Sequence, residues 1–488
     1  MSSNKITNKA LKSGYSFVGS SLFVSALGII AVPLYLIYLT PAQYGVFSLF
    51  LSTATLLVPF LSLSGDAILA RLYFFDKAGP LDRSTLMGSL IASTFINCIL
   101  VSIVAFYAFD YIASFFSNES ANILNYKFLI FFSANAIVFI KLYERLLKSS
   151  QNVLINPILK ITRSLIQISI SILFLTYLDL NAESLIFGFS IAALFIGTIS
   201  IYGFYKKYKP NINLAAFKLI YLYTLPLIPN RVAAFIVNPA MNYMIFSFLS
   251  LTQVGIYNIA YLVVNILLMV FQKIHEAFQP WLYQALFIPS PDHKRIKNSI
   301  KLLFISFISL TILAMLIGPG VLEALFPSYF ADQSSFIRIL MLFPLVNAYK
   351  SLAVSLLMKK ESGGYYISFG TYFFIILLII IGFFLIPKYN LIGAAITLVL
   401  SRYISSELTI YFALRDKDIF LISYFKNVRF FIVSIFLINI SGLFSKYFLD
   451  LNEIILVNAF LFLLLIFIFI SYIKDIKNLI KILLLRSS

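Results

Sequence analysis

The chain has 488 residues, 61% of them hydrophobic, 17% aromatic and only 11% charged, with a mean hydropathy of +0.96. A set of soluble domains is excluded, because a water-facing surface needs roughly a quarter of all residues charged. The net charge of +18 does not indicate nucleic acid, since the basic residues sit between apolar segments, where they orient a membrane protein.

A membrane-crossing helix needs about 20 mostly apolar residues. The sequence predicts about fourteen, at 14–37, 46–64, 86–107, 123–144, 155–177, 183–205, 221–246, 254–278, 300–318, 335–357, 365–386, 391–413, 428–447 and 454–473. The first follows Lys5, Lys9 and Lys12 and lacks a small-residue cleavage site, so it is expected to stay as an uncleaved span. No connection is long enough for a soluble domain. Cys98 lies in an apolar stretch, so disulfides and cysteine metal sites are not expected. His275 and His293 leave little for imidazole chemistry, and no metal or cofactor is expected.

Alternate connections carry Arg71/Lys77/Arg83, Lys141/Arg145/Lys148/Lys160, Lys206/Lys207/Lys209, Lys294/Arg295/Lys297, Lys359/Lys360 and Arg415/Lys417/Lys426. The C-terminal Lys474, Lys477, Lys481 and Arg486 join the same set, while the intervening connections hold only Lys127, Arg338, Lys388 and Lys446. By the positive-inside rule both termini are cytoplasmic and the span number is even.

An internal repeat supplies the architecture. LTPAQYGVFS, from Leu39, aligns with LSLTQVGIYN, from Leu249, at an offset of 210. LKSSQN, from Leu147, echoes MKKESG, from Met358, at an offset of 211. Parallel six-span repeats predict two lobes related by an axis along the membrane normal. The expected division is a six-helix lobe at 1–210, a second at 211–418, and helices thirteen and fourteen with a cytoplasmic tail at 419–488. The fold class is an all-α polytopic membrane protein with a central cavity.

Polar residues then fall in stripes. Span two carries Ser48, Ser52, Thr55, Pro59, Ser62 and Asp66 at three- and four-residue steps, hence on one helical face. Span eight repeats this at the same offset with Asn258, Asn265, Gln272 and Glu276. Span seven adds Arg231, Asn238 and Asn242, and span one the milder Ser21, Ser25 and Gly28. Polar groups facing lipid are costly, so these faces are expected to meet in a hydrated cleft. Serine, threonine and glycine stripes equally serve close helix packing. Asp66, Glu276 and Arg71 mark an inner rim with a substrate, coupling or purely structural role. Lys273 either lines the cavity or snorkels to the interface. Arg402 either pairs with Glu407 or rests on span-eleven backbone.

The run LPLIPNRVAAF…MNYMIFSFLSLTQVGIYNIAYLVVNIL…FQKIHEAFQPWLY, Leu225 to Tyr283, resembles the middle of polysaccharide-type flippases. These belong to the multidrug/oligosaccharidyl-lipid/polysaccharide exporter superfamily. The turn at Tyr44-Gly45 and GPGVLEALFPSY, Gly318 to Tyr329, resemble the same family. The resemblance implies alternating-access transfer of an undecaprenyl-diphosphate-linked oligosaccharide, such as an O-antigen or capsule unit, across the bacterial inner membrane. It further implies a cationic cavity lined by the first two helices of each lobe, to which Arg231 and Lys273 correspond. Span one lacks the arginine of the related peptidoglycan-precursor flippases. Implied partners are the lipid-linked oligosaccharide, membrane lipids, and polysaccharide polymerase and chain-length proteins.

Two other functions compete. An ion-coupled drug or cation antiporter of the same superfamily would use Asp66 and Glu276. A membrane glycosyltransferase or polymerase would need catalytic groups on an outer loop, where Asp110, Glu119, Glu323 and Asp332 are merely scattered. With no Walker A, HExxH or nucleotide-binding glycine pattern, an enzyme or an ATP-driven pump within this chain is not expected.

Overall fold

The computed structural model describes residues 30–73, 81–114, 125–150, 152, 154–287, 293–330, 333–358, 362–415, 428–440 and 457–466, with positions 19, 23, 24 and 26–28. The described residues are almost all helical and none is in a strand. Two compact units, 1–259 and 260–488, divide the chain.

The first unit runs through α1 (Ala26–Leu36), α2 (Pro41–Ser62), α3 (Gly65–Tyr73), α4 (Arg83–Ser114), α5 (Lys127–Ser149), α6 (Ile155–Tyr177) and α7 (Asn181–Lys207). It continues with α8 (Leu214–Thr224), α9 (Ile228–Phe235), α10 (Val237–Phe248) and the start of α11 (Leu251–Phe287). The second unit holds the rest of α11, then α12 (His293–Leu325), α13 (Ser334–Leu340), α14 (Leu342–Leu357), α15 (Gly363–Leu414), α16 (Val428–Ile440) and α17 (Val457–Ile466).

Eight helices among the described residues are long and apolar enough to cross a bilayer, and a ninth is the broken span Leu214–Phe235 with Val237–Phe248, bent by 46°. α5 coincides with the expected span at 123–144 but carries Lys127, Lys141, Glu144, Arg145 and Lys148. α15 contains two expected spans, 365–386 and 391–413, joined where Asn390 leaves the helical region at φ 52°. The expected spans at 14–37, 428–447 and 454–473 lie partly outside the described residues, and Ser21, Ser25 and Lys77 lie outside them altogether. A multi-pass helical architecture is therefore established, and the count of fourteen remains a sequence expectation.

Packing follows membrane rules. With lipid as apolar as leucine, helices associate through small residues and buried hydrogen bonds. Ser133 of α5 donates to Ser190 of α7 at 2.9 Å, and a Cβ on Gly197 would sit 3.1 Å from that of Ala136. Phe189 takes Phe47 and Phe50 edge-on, with centroids 6.2 and 6.1 Å away. Outward surfaces are apolar instead of charged: Ile99, Leu100, Ile103 and Val104 all stand exposed along α4. In the second unit Phe271 stacks on Phe307 at 4.4 Å. Arg338, 2% exposed, donates to Asn458 Oδ1 at 3.1 Å.

The repeat has a structural counterpart in the first unit. A Cβ on Gly45 would strike the Leu251 carbonyl oxygen, and one on Gly255 would strike that of Pro41. Gly45 and Gly255 are equivalent under the offset of 210, and so are Pro41 and Leu251. The first turns of α2 and α11 thus cross reciprocally, the signature of a two-fold-related contact. Only glycine admits backbone at that distance.

Candidate functional site

α2 starts cleanly and ends abruptly. Thr40 Oγ1 accepts from Gln43 N–H at 3.4 Å, and Gln43 Oε1 accepts from Thr40 N–H at 2.8 Å, a complete capping box with Pro41 at the first helical position. At the far end Leu63 and Ser64 both take left-handed backbone, φ 41° and 62°. Such a conformation costs an L-residue about 1–2 kcal/mol, partly offset where Ser64 N–H donates to Ser62 Oγ at 3.2 Å. The chain then restarts as α3, with Asp66 in its first turn, where the helix dipole favours a carboxylate. The stripe predicted for span two is therefore interrupted: Asp66 belongs to a separate helix, not to the inner end of α2.

Arg231 reaches Asp66 from α9. Pro226 and Pro229 lack backbone N–H groups, and the chain passes through a 3₁₀ turn at Leu225–Leu227 before α9 begins. The Arg231 guanidinium donates to Asp66 Oδ2, forming an ion pair between two half-buried side chains. In the sequence Asp66 and Arg71 are candidates for a rim pair. In the structure the Arg71 guanidinium lies 4.0 Å over the Tyr223 ring.

The third wall is α5. Lys141, Glu144, Arg145 and Lys148 fall at i, i+3, i+4 and i+7, one face of a helix. Lys141 Nζ stands 4.0 Å from the centroid of Phe235, and the Arg231 guanidinium 6.0 Å from the same ring. Together with Asp66 these groups line a polar cavity of about 300 Å³. Four cations face two acids. Arg145 and Lys148 stand exposed at its mouth, and the arrangement suits an anionic group, which arginine grips through two parallel hydrogen bonds.

The remaining predicted residues fall elsewhere. Asn242, 2% exposed, donates to Ser52 Oγ at 2.6 Å, and Asn258 Nδ2 donates to Asn242 Oδ1 at 2.9 Å. Their amides bind helices to one another. Asn238 is exposed and Asn265 half-buried. In the second unit Lys273 donates to Glu276 at 2.6 Å and Gln272 to the same carboxylate at 3.0 Å. Glu407 accepts from Arg429 and from Tyr349 OH, so it is not the partner of Arg402.

Lys141, Arg145 and Lys148 count in the sequence only as signs of a cytoplasmic connection, and their role as a cavity wall goes unread. The signal was their spacing with Glu144, which puts all four on one face. Arg163 of α6 also escapes notice; it lies 5.1 Å from the Phe189 ring and within the field of Glu144.

The sequence profile of the polysaccharide biosynthesis protein family matches residues 10–286, more than half of the chain. The chain belongs to that family. No curated protein sequence matches it. Among solved structures, the lipid II flippase MurJ in an inward closed conformation aligns with a TM-score of 0.68 at 16% identity, covering 94% of this chain and 98% of that one. An inward-facing multidrug resistance MATE transporter of the MOP superfamily aligns at 0.64 and 13% identity, covering 83% and 96%. The MATE multidrug transporter DinF-BH aligns at 0.58 and 15% identity, covering 86% and 97%. At these identities the likeness is one of fold. This member of the polysaccharide biosynthesis family thus shares the fold of flippases and multidrug transporters.

Proposed function

We propose that the chain flips an undecaprenyl-diphosphate-linked oligosaccharide, such as an O-antigen or capsule repeat unit, from the cytoplasmic to the outer leaflet of the bacterial inner membrane. The observation that carries this reading is the cavity in which Lys141, Arg145, Lys148 and Arg231 outnumber Asp66 and Glu144. The diphosphate enters this field and displaces Asp66 from Arg231, exchanging one anion for another without leaving the arginine unpaired. The sugars follow through a polar path and the lipid tail stays in the bilayer, so the head group never meets hydrocarbon. Family membership supports a lipid-linked glycan as cargo. The proposal includes alternating access by the expected lobes at 1–210 and 211–418, with both termini cytoplasmic and polymerase and chain-length proteins receiving the product.

The antiporter reading requires an acid available to a coupling ion, whereas Asp66 and Glu276 are each engaged by a basic neighbour. Proteoliposomes loaded with a lipid-linked oligosaccharide test the proposal. A charge-assisted hydrogen bond is worth about 1.5–3 kcal/mol, so Arg231→Ala and Lys141→Ala should each slow translocation about tenfold or more. Normal translocation in both correctly inserted variants would sink it.

A further inference from the structure

In the second unit Lys350 and Arg402 meet no carboxylate among the described residues. Lys350 of α14 is 7% exposed, and its Nζ lies 3.4 Å from Thr371 Oγ1 on α15. The guanidinium of Arg402 lies 3.9 Å over the ring of Phe374, with Phe343 at 5.6 Å. Thr371 and Phe374 are three residues apart, so their side chains emerge about 5–6 Å from each other on one helix face. The two head groups therefore reach the same stretch of α15, one helical turn apart.

The three acids described in the second unit have other partners or stand at the surface. Glu407 is held by Arg429 and Tyr349, Glu276 by Lys273 and Gln272, and Glu323 stands exposed at the end of α12. Arg402 Nε is enclosed and finds no acceptor among the described residues. The side chain as a whole is only half-buried. Two like charges inside a membrane-embedded bundle are unfavourable unless something neutralises them. Entry to so apolar a neighbourhood costs a monovalent halide less than a phosphate, whose shell of water is harder to strip.

We propose that Lys350, Arg402 and the Thr371 hydroxyl form a binding site for a small monovalent inorganic anion, chloride being the type case. The ion is a resident counter-charge of the second unit, and its presence does not depend on the glycan assigned to the first.

Thermal unfolding of the purified full-length chain tests this, comparing sodium chloride and sodium bromide with sodium gluconate at equal ionic strength. A ligand bound only by the folded state raises the midpoint with the logarithm of its concentration. That dependence is expected in the wild type and should vanish in Lys350→Met and in Arg402→Gln. Equal midpoints in halide and gluconate would overturn the proposal, as would a halide response that survives in both variants. Should the variants fail to fold, anomalous diffraction from wild-type crystals grown in bromide decides. A peak between the two head groups supports the site; none at saturating bromide rejects it.

Discussion

Asp66 and Arg231 show how little a residue's position in a stripe says about its partner. The acid sits at the start of one short helix and the arginine after two prolines, 165 residues later in the chain. Their pairing cancels part of the cavity's positive charge, and under the proposed function Asp66 competes with the diphosphate for the arginine. Asp66→Asn removes that competition without changing shape. Its expected effect is a several-fold tighter grip on a soluble undecaprenyl-diphosphate analogue, together with slower release and lower net flux. Unchanged affinity would mean that Arg231 does not exchange partners. The asparagines teach the opposite lesson. A buried amide looks like a ligand to sugar hydroxyls when read in sequence, yet Asn242 and Asn258 use their hydrogen-bonding capacity on each other and on Ser52. Amides inside a membrane bundle must find donors and acceptors, and the neighbouring helix is the nearest supply.

At the scale of elements, legibility followed chemistry. The repeat was readable because the capping box, Tyr44-Gly45 and its copy answer local demands that any equivalent turn would make. The amphipathic faces were readable from spacing. The break after α2 was not, because Leu63 and Ser64 are residues that ordinarily avoid left-handed backbone, and only the surrounding structure holds them there. Nor did the sequence distinguish a basic connection from a basic cavity wall, since Lys141, Arg145 and Lys148 fit both uses. The reciprocal crossing of α2 and α11 makes a symmetrical prediction. Gly45→Leu and Gly255→Leu each drive a side chain into a carbonyl oxygen of the partner helix, so both should lower the thermal midpoint and prevent close approach of the two first turns. A spin-label pair on these turns should report a longer distance in either variant. If Gly45→Leu is silent while Gly255→Leu is not, the two contacts are not equivalent.

For the whole molecule, composition and charge placement carried most of the information. A chain with 11% charged residues has little choice but to span a membrane, and the positive-inside rule expects its basic connections on one side. The orientation is open to direct measurement. Cys98 is buried, so the natural thiol is shielded from aqueous reagents and engineered cysteines can be read against it. Asp179→Cys, at the turn between α6 and α7, should react with an impermeant maleimide from outside the cell, and Lys209→Cys, after α7, only once the membrane is opened. The reverse pattern would invert the topology.

The discontinuity at Leu63–Ser64 also sets how the molecule can bear load. α11 runs unbroken for 37 residues, about 55 Å at 1.5 Å per residue, and ties Glu276 to its first turn as a solid beam would. The corresponding stretch of the first repeat is articulated, a beam and a short arm joined at two strained residues. A tilt of α2 can be absorbed at that joint, leaving the arm with Asp66 in place, whereas a tilt of α11 is carried to its far end. The two stretches related by the offset of 210 are thus mechanically unlike, one jointed and the other continuous, and the jointed one holds the acid that faces the arginine.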